Sequence, residues 1–261
     1  MESLNGRVEE DARSFRDAKP FRHIVFDDLL VADLVAPIRT AFPRDAWDAW
    51  YRFEDKFQFK KHACDRIDLI PEPLDRLILE LNSGPFLSWL SRRTGIPQLR
   101  PAPELQGGGL HSTGPGGFLV PHTDFHRGRH EQLFRRLNLL LYLNERWRDD
   151  NGGALELWDK ERDCVVREVL PEFGRCVIFQ TDDHSMHGFS RPVVGRDRNS
   201  VALYYYTASA PDRFSGDGST HWRADSMEYQ GLAHHAKRVA YRACMGLSHR
   251  ISALAWYFRP K

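Results

Sequence analysis

The chain has 261 residues, 41% hydrophobic and 12% aromatic, which is enough apolar surface for one substantial core. Its 37 Lys and Arg nearly balance 36 Asp and Glu, so the net charge of +1 gives no argument for nucleic acid or an anionic membrane as a partner. The N-terminus is polar, and no stretch approaches the ~18 apolar residues of a membrane span. We therefore expect a cytoplasmic protein, and the composition leaves its oligomeric state open.

The internal organisation predicts a single domain over residues 1–261. The four cysteines are widely spaced and form no Cys-x-x-Cys pair, which predicts reduced thiols and neither a zinc finger nor a disulfide framework. No repeat, low-complexity tract or linker interrupts the chain. We expect helical support in about 1–100, a strand-rich core in about 101–210 and a basic helical region in about 224–258.

The first third of the chain predicts mostly helices. Residues 21–27 predict a strand, which leads into an amphipathic helix over 31–42. Apolar residues recur at helical spacing over 74–90, where Gly84-Pro85 is expected to bend or split the helix. Between these helices, residues 44–60 mix aromatic and charged residues without clean periodicity. That segment is either a lid over a site or a packing element against the outer helices.

From about residue 105 to residue 206 the spacing of the apolar residues changes from the helical period to that of strands. Strands are expected at 136–144, 154–158, 165–170, 176–180 and 200–207, each bounded by Gly, Pro, Asn or Asp. A central β-barrel with helices outside it is the simplest architecture that accommodates this order.

A possible metal-binding motif, His122-Thr123-Asp124, follows a glycine-rich segment. The apolar runs 105–111 and 118–121 flank glycines at 114–117, which predicts a hairpin turn and places the motif on a strand. Residues i and i+2 of a strand point to the same face, so His122 and Asp124 are able to ligate one metal ion. A second strand must then bring the third ligand.

His187 and Arg198 complete the pattern. Two histidines and one carboxylate leave three positions of an octahedral metal open, as in non-haem Fe(II) enzymes that bind a chelating cosubstrate and O₂. The planar guanidinium of Arg198 suits the distal carboxylate of 2-oxoglutarate. Arg198 begins an alternating strand with Ser200 on the same face, whereas Arg191 and Arg196 are predicted to be turn or surface residues.

Several segments occur together in an order that chance does not assemble. They are 20–28, Pro-His-Thr-Asp at 121–124, 136–147 with Tyr-Leu-Asn near its end, Gly-Gly-Ala-Leu-Glu-Leu-Trp at 152–158, 174–179, His-Gly-Phe-Ser-Arg-Pro-Val at 187–193, and 195–200. In these segments the chain resembles the 2-oxoglutarate- and Fe(II)-dependent dioxygenases of the prolyl-4-hydroxylase-like branch. The resemblance spans roughly residues 21–207.

This resemblance implies a mainly β fold with flanking helices around a double-stranded β-helix (jelly roll, cupin-like) core. It implies that His122, Asp124 and His187 ligate Fe(II), and that Arg198 binds 2-oxoglutarate with the Ser200 hydroxyl beside the same carboxylate. O₂ is the oxidant and ascorbate a supporting reductant. The expected reaction hydroxylates an unactivated C–H bond with release of succinate and CO₂; related halogenating enzymes lack the carboxylate that Asp124 supplies.

Three assignments depend on comparing the family's pattern with this chain. His187 is preferred to His184 because the residues after His187 match the family's connection into the arginine strand. A cosubstrate tyrosine of the best-known prolyl hydroxylases falls at Leu141, with Tyr142 expected on the opposite face. His111 stands where many relatives have a pocket tyrosine, so it is either a cosubstrate contact or a structural histidine.

The substrate is indicated only weakly. Trp158 and Phe189 are candidates for the walls of the site, although aromatic residues of a barrel are more often core. Arg127 belongs to the basic segment 125–130, which either attracts an acidic substrate or is a solvated loop. A small molecule or an amino-acid or prolyl-type compound fits the pattern.

Two other functional classes fit the predicted fold. A jelly-roll isomerase or hydrolase with Zn²⁺ or Mn²⁺ would need further His or Glu ligands, and the sequence offers none in register. A non-catalytic jelly-roll binding module needs neither three metal ligands nor an internal arginine. The oxygenase is therefore the favoured interpretation.

Overall fold

The computed structural model describes residues 7–27, 29–127, 133–210, 215 and 218–223. The described residues up to Trp222 belong to one compact unit. The predicted helical region at about 224–258 and the basic positions 128–130 lie outside the described residues. The single-domain organisation therefore stays a prediction.

Helices flank the sheet in the first hundred residues. The described helices are α1 (Val8–Asp17), α2 (Ala32–Ala41), α3 (Leu74–Leu81) and α4 (Gly84–Thr94). Helix α2 confirms the helix expected over 31–42, and the predicted split is confirmed between α3 and α4. Ser83 caps α4 by accepting a 3.4 Å hydrogen bond from the Phe86 backbone N–H. No helix within the described ranges is long and apolar enough to cross a membrane.

The described strands form one antiparallel sheet. They are β1 (His23–Phe26), β2 (Tyr51–Phe53), β3 (Gln58–Cys64), β4 (Arg100–Pro101), β5 (Gly109–Thr123), β6 (Phe134–Tyr142), β7 (Leu155–Asp159), β8 (Cys164–Val169), β9 (Cys176–Gln180), β10 (His187–Phe189), β11 (Arg198–Thr207) and β12 (His221–Trp222). The main order is β1-β9-β6-β11-β5-β10-β7-β8. The mainly β architecture and all five strands predicted beyond residue 135 are confirmed.

Strand β5 corrects the hairpin predicted at 114–117. It is one strand of 15 residues, which pairs with β11 before the glycines and with β10 after them. Strand β3 lies on its other side, with Lys60 alone facing the glycine segment. The segment is therefore a wide bulge that moves β5 from one neighbour to the next. A Cβ at Gly117 would lie 2.4 Å from the Thr113 side chain, so glycine is required there.

The aromatic segment 44–60 contains β2 and the start of β3, which the sequence pattern did not predict. Trp50 is buried in the main core, and Trp47 packs edge-on against it at 5.0 Å between ring centroids. Phe57 instead stacks on Trp222 at 4.7 Å, and Trp222 contacts the ring of His122. One end of the segment therefore packs in the core and the other borders the candidate site.

Alternation along β6 and β11 separates the core from the site. Leu139, Leu141, Val201 and Leu203 join one hydrophobic cluster with the buried faces of α3 and α4. Because successive strand residues point to opposite faces, the residues between them face the inside of the curled sheet. Those on that inner face include Asn138, Tyr142, Arg198 and Ser200.

Candidate metal centre and cosubstrate pocket

His122, Asp124 and His187 meet inside the sheet. His122 lies near the end of β5 and Asp124 directly follows that strand, while His187 begins β10 directly opposite His122 in the antiparallel register. All three side chains are buried, and one ligand atom from each lies within 4.8 Å of the others. Within the described part of the chain, no other group of His, Cys, Asp and Glu meets this arrangement. His184, the rejected alternative, is exposed to solvent.

The two histidine rings are oriented as metal ligands. Nδ1 of His122 donates to the Val120 carbonyl at 2.9 Å, and Nδ1 of His187 donates to the Ser185 carbonyl at 2.9 Å. These bonds fix the tautomer, so the Nε2 lone pairs face Asp124, each 3.5 Å from a carboxylate oxygen. Two neutral imidazoles and one carboxylate fit Fe(II).

A buried polar network holds Asp124. Its Oδ2 accepts a 2.7 Å hydrogen bond from the Asn138 amide and lies 3.0 Å from an Arg135 nitrogen. Arg135 also donates to Asn138 at 2.8 Å and stacks on Tyr204. Burial alone would raise the pKa of Asp124, but Arg135 and the two histidines hold it well below its ordinary value. Burial lowers the pKa of His187 to about 4, against the effect of Asp124. Asp124 and His187 are thus deprotonated near neutral pH.

Arg198 lies on the same inner face. It is 6% exposed, its Nε donates to the Gly153 carbonyl at 2.6 Å, and its guanidinium covers the Phe189 ring at 4.2 Å. Arg191 pairs with Asp149 at the surface, and the half-buried Arg196 lies over the Trp147 ring and donates to the Arg146 carbonyl. The structure therefore separates Arg198 from its neighbours as the sequence predicted.

Tyr142 replaces Leu141 as the candidate cosubstrate residue. The Tyr142 hydroxyl accepts a 3.2 Å hydrogen bond from Nη2 of Arg198, and both groups are buried. Leu141 is fully buried in the core cluster on the opposite face, against Val201 and Cys176. The expectation for Leu141 placed the strand's alternation one residue out of step, which exchanges every side chain between the two faces.

We expect substitutions of Tyr142 and Leu141 to affect different properties of the protein. Tyr142→Phe should weaken 2-oxoglutarate binding by about 1 kcal/mol because it removes one hydroxyl from the Arg198 end of the pocket. Leu141→Ala should instead lower the free energy of unfolding by roughly 2–5 kcal/mol by opening a core cavity. Titration of the anaerobic Fe(II) protein with 2-oxoglutarate and urea unfolding measure the two effects. A larger loss of cosubstrate affinity in Leu141→Ala would restore the original assignment.

His111 and Ser200 continue the inner face beside Arg198. Ser200 pairs with Tyr142 on one side and with His111 on the other, so all three share a face. Nε2 of His111 is buried without a hydrogen-bond partner. Burial and the neighbouring Lys61 lower the pKa of His111 to about 3, so the ring is neutral and has a free nitrogen for a ligand.

The depressed pKa of His111 predicts a pH effect in the metal-free protein. The unfolded chain takes up this proton near pH 6.5 and the folded chain only near pH 3, so stability is full above 6.5 and falls as the pH drops between them. The difference in unfolding free energy between wild type and His111→Gln should change by at most about 1.4 kcal/mol per pH unit there. Urea unfolding in EDTA at several pH values measures it. Parallel pH profiles would contradict a buried neutral His111.

The three residues predicted to contact the substrate differ in their position relative to the site. Trp158 is buried on the face of β7 opposite Leu157, where its indole N–H donates to Glu156 at 2.9 Å, so it does not border the site. Phe189 does border the site, as the surface beneath the Arg198 guanidinium. Arg127 is exposed and lies over the Phe134 ring.

Sequence reasoning also missed residues that the structure brings to the site. They are Lys61, Arg135, Asn138 and Trp222. Tyr142 was expected on the opposite face, and Phe57 belongs to the segment 44–60 that was expected to be either a lid or a packing element. Asn138 and Tyr142 were accessible in principle, because they are polar residues separated by four positions on a strand and so share a face. Lys61, Phe57 and Trp222 come from segments whose pairing with β5 no local pattern indicates.

Two histidines, a carboxylate and a buried arginine inside a curled antiparallel sheet define the class of non-haem iron oxygenases that use a 2-oxo acid. Residues 108–206 match the family model described as the 2OG-Fe(II) oxygenase superfamily. Over this segment the chain is similar to the 2OG-Fe(II) oxygenases, and the relatives it matches are prolyl hydroxylases and other oxygenases that use 2-oxoglutarate.

The chain is also similar to individual proteins in sequence or in fold. The chain is 25% identical over 199 residues to prolyl 3-hydroxylase OGFOD1 of Mus musculus, covering 74% of this chain and 34% of that protein. It thus spans about a third of the length of this curated relative. A Trichoplax adhaerens prolyl hydroxylase in complex with a hypoxia inducible factor peptide has a TM-score of 0.54, with 17% identity and coverage of 79% and 93% of the two chains.

HygX from Streptomyces hygroscopicus, solved with nickel and 2-oxoglutarate, has a TM-score of 0.50. Its identity is 13%, over 77% of this chain and 92% of HygX. At such identities the solved structures show the fold alone. They confirm the double-stranded β-helix expected from the sequence.

Proposed function

We propose that this protein is an Fe(II)- and 2-oxoglutarate-dependent dioxygenase that hydroxylates an unactivated C–H bond of a small-molecule or prolyl-type substrate. The observation that carries the proposal is the buried Arg198–Tyr142 pair on the face that also holds the three metal ligands. A metal site alone would suit several enzyme classes. A desolvated guanidinium without a carboxylate partner among the described residues is suited to an anionic cosubstrate.

Each residue then has a defined part. His122, Asp124 and His187 would hold Fe(II), and Arg198 with Tyr142 would hold the distal carboxylate of 2-oxoglutarate. When bound, the iron and its cosubstrate supply the oxidising chemistry, which yields succinate, CO₂ and a hydroxylated product. The chain's own contribution is to keep Asp124 ionised, fix both imidazole rings and exclude water by burial.

The relatives support both substrate types. OGFOD1 and the Trichoplax protein are prolyl hydroxylases, whereas HygX has also been solved with hygromycin B bound. Asp124 favours hydroxylation over halogenation. A hydrolase or isomerase is not favoured, because the described residues place no fourth His or Glu ligand beside the triad. A cytoplasmic location remains part of the proposal.

Reconstitution tests this function. Anaerobically purified protein should bind one Fe(II) per chain and release succinate slowly from 2-oxoglutarate in air, even without its substrate. His187→Ala should lose iron because it removes a ligand, while His184→Ala, in the exposed turn three residues earlier, should behave as wild type. Tight zinc binding with no iron- or 2-oxoglutarate-dependent turnover would refute the oxygenase.

A further inference from the structure

Lys61 on β3 lies in the same row of side chains as Arg198. Thr113 of β5 is directly opposite Lys61 on one side and directly opposite Arg198 on the other. Directly opposite residues of an antiparallel pair point to the same face, so all three side chains face the inside of the sheet. With strands about 4.8 Å apart, the Lys61 and Arg198 backbones are about 10 Å apart on the two sides of β5.

No carboxylate of the described residues lies within salt-bridge distance of the Lys61 ammonium group, and Asp124 and Asp55 act on it only at longer range. It donates to the neutral Oε1 of Gln58 at 3.3 Å and lies 5.3 Å from the centre of the Phe53 ring. Lys61 is half-buried, whereas its neighbour Lys60 is exposed and donates to the Pro115 carbonyl. A partly buried lysine normally pairs with a carboxylate or extends its ammonium group into water. Among the described residues, Lys61 instead has a neutral amide oxygen and an aromatic ring as its neighbours.

The charges that face the pocket do not balance without a further anion. Asp55 also acts on Lys61, but it is exposed to solvent and accepts hydrogen bonds from the backbone N–H groups of Phe57 and Gln58. Asp124 is compensated by Arg135. Fe(II) and dianionic 2-oxoglutarate would compensate each other, which leaves the positive charges of Arg198 and Lys61 in excess. His111 adds none, because its buried ring is neutral. An excess of positive charge in a buried cleft concentrates anions there.

The position of Lys61 favours the substrate over the cosubstrate. Arg198, Tyr142 and Ser200 already provide donors at the distal carboxylate. Lys61 belongs to the hairpin of β2 and β3, whose Phe57 stacks on Trp222 beside the metal ligand His122. This hairpin therefore borders the space between the arginine row and the metal ligands, where the substrate has to lie.

We propose that Lys61 binds a carboxylate or phosphate group of the primary substrate, and that the substrate is an anionic small molecule. This inference rests on the proposed oxygenase function for the identity of the pocket. Lys61 acts as a binding residue that orients the substrate and takes no part in the oxidation.

Competitive amine labelling tests anion binding without activity. The full chain, loaded anaerobically with Fe(II) and 2-oxoglutarate, is trace-labelled with acetic anhydride, and acetylation of Lys61 and Lys60 is measured by mass spectrometry. Inorganic phosphate or acetate should slow acetylation of Lys61 by about fivefold or more as the anion saturates the site, and leave Lys60 unchanged. The more effective anion identifies the group bound. Equal protection of both lysines, or of neither, would overturn the proposal.

Variants then separate substrate from cosubstrate. Lys61→Gln should leave the 2-oxoglutarate titration of the Fe(II) protein unchanged, and should raise KM by about tenfold or more for the metabolite fraction that supports succinate release. Lys61→Arg should recover part of this loss and Lys60→Gln should cause none. We expect the active fraction to be retained on an anion exchanger; activity confined to the neutral fraction, or loss of 2-oxoglutarate binding in Lys61→Gln, would refute the inference. Absence of iron binding would instead refute the oxygenase, and the labelling result would stand by itself.

Discussion

Asp124→Ala is expected to abolish Fe(II) binding and to lower the free energy of unfolding by about 3–5 kcal/mol, the cost of leaving a buried charge without its partner. The stability loss follows from Arg135, which is 1% exposed and has Asp124 as its carboxylate partner. Asn138 would also lose the acceptor of its amide hydrogen bond. Metal analysis and urea unfolding of the same preparation measure the two effects.

A second substitution separates ligand loss from instability. Asp124→Ala combined with Arg135→Met removes the uncompensated charge, so it should recover part of the stability and none of the iron binding. If Asp124→Ala alone retained stoichiometric iron, the carboxylate ligand would have to be another residue. Unchanged stability in the single variant would show that Arg135 does not depend on Asp124.

Arg198→Leu should weaken 2-oxoglutarate binding by at least about 2 kcal/mol, the expected scale for losing one member of a desolvated charge-assisted pair. Iron binding should be nearly unchanged, because Arg198 contacts Gly153, Tyr142 and Phe189 and none of the metal ligands. The visible charge-transfer band of the anaerobic Fe(II) complex follows the titration.

Two neighbouring arginines provide matched controls. Arg191→Leu removes a surface pair with Asp149, and Arg196→Leu removes a guanidinium that lies over Trp147, so neither should change cosubstrate affinity appreciably. Arg198→Lys should recover binding only in part, because an ammonium lacks the planar fork. If Arg196→Leu abolished the titration and Arg198→Leu did not, the register of β11 would be wrong.

The metal ligands were predictable because their geometry is local. His122 and Asp124 share a face by the two-residue period of any strand, and His187 needed only a second strand beside the first. Arg198 and Ser200 follow from the same alternation. The helix break at Gly84-Pro85 is equally local, since proline restricts the backbone before it.

Long-range pairing accounts for what the sequence did not predict. The bulge at 114–117 exists because β5 changes partners there, from β11 to β10, and glycines at a hairpin turn have the same local pattern. Lys61 faces the pocket because β3 pairs with β5 in one particular register, which depends on contacts between residues about fifty positions apart.

Strand β6 shows how far the sequence alone predicts the orientation of side chains. Its apolar residues cover both faces, so the sequence predicted a buried strand, but the placement of Leu141 on the cosubstrate face and Tyr142 on the opposite face was wrong. The register against β11 decided it, by placing Tyr142 opposite Ser200. An irregularity between Tyr205 and Tyr206 then shifts the alternation by one residue and turns Arg135 to the side of Asp124. The sequence by itself determined the metal chemistry, because two of the three ligands are two positions apart in one segment and the third needs only a neighbouring strand. Only the tertiary structure decided which charges surround the metal ligands, because side chains from separate strands meet there through sheet register.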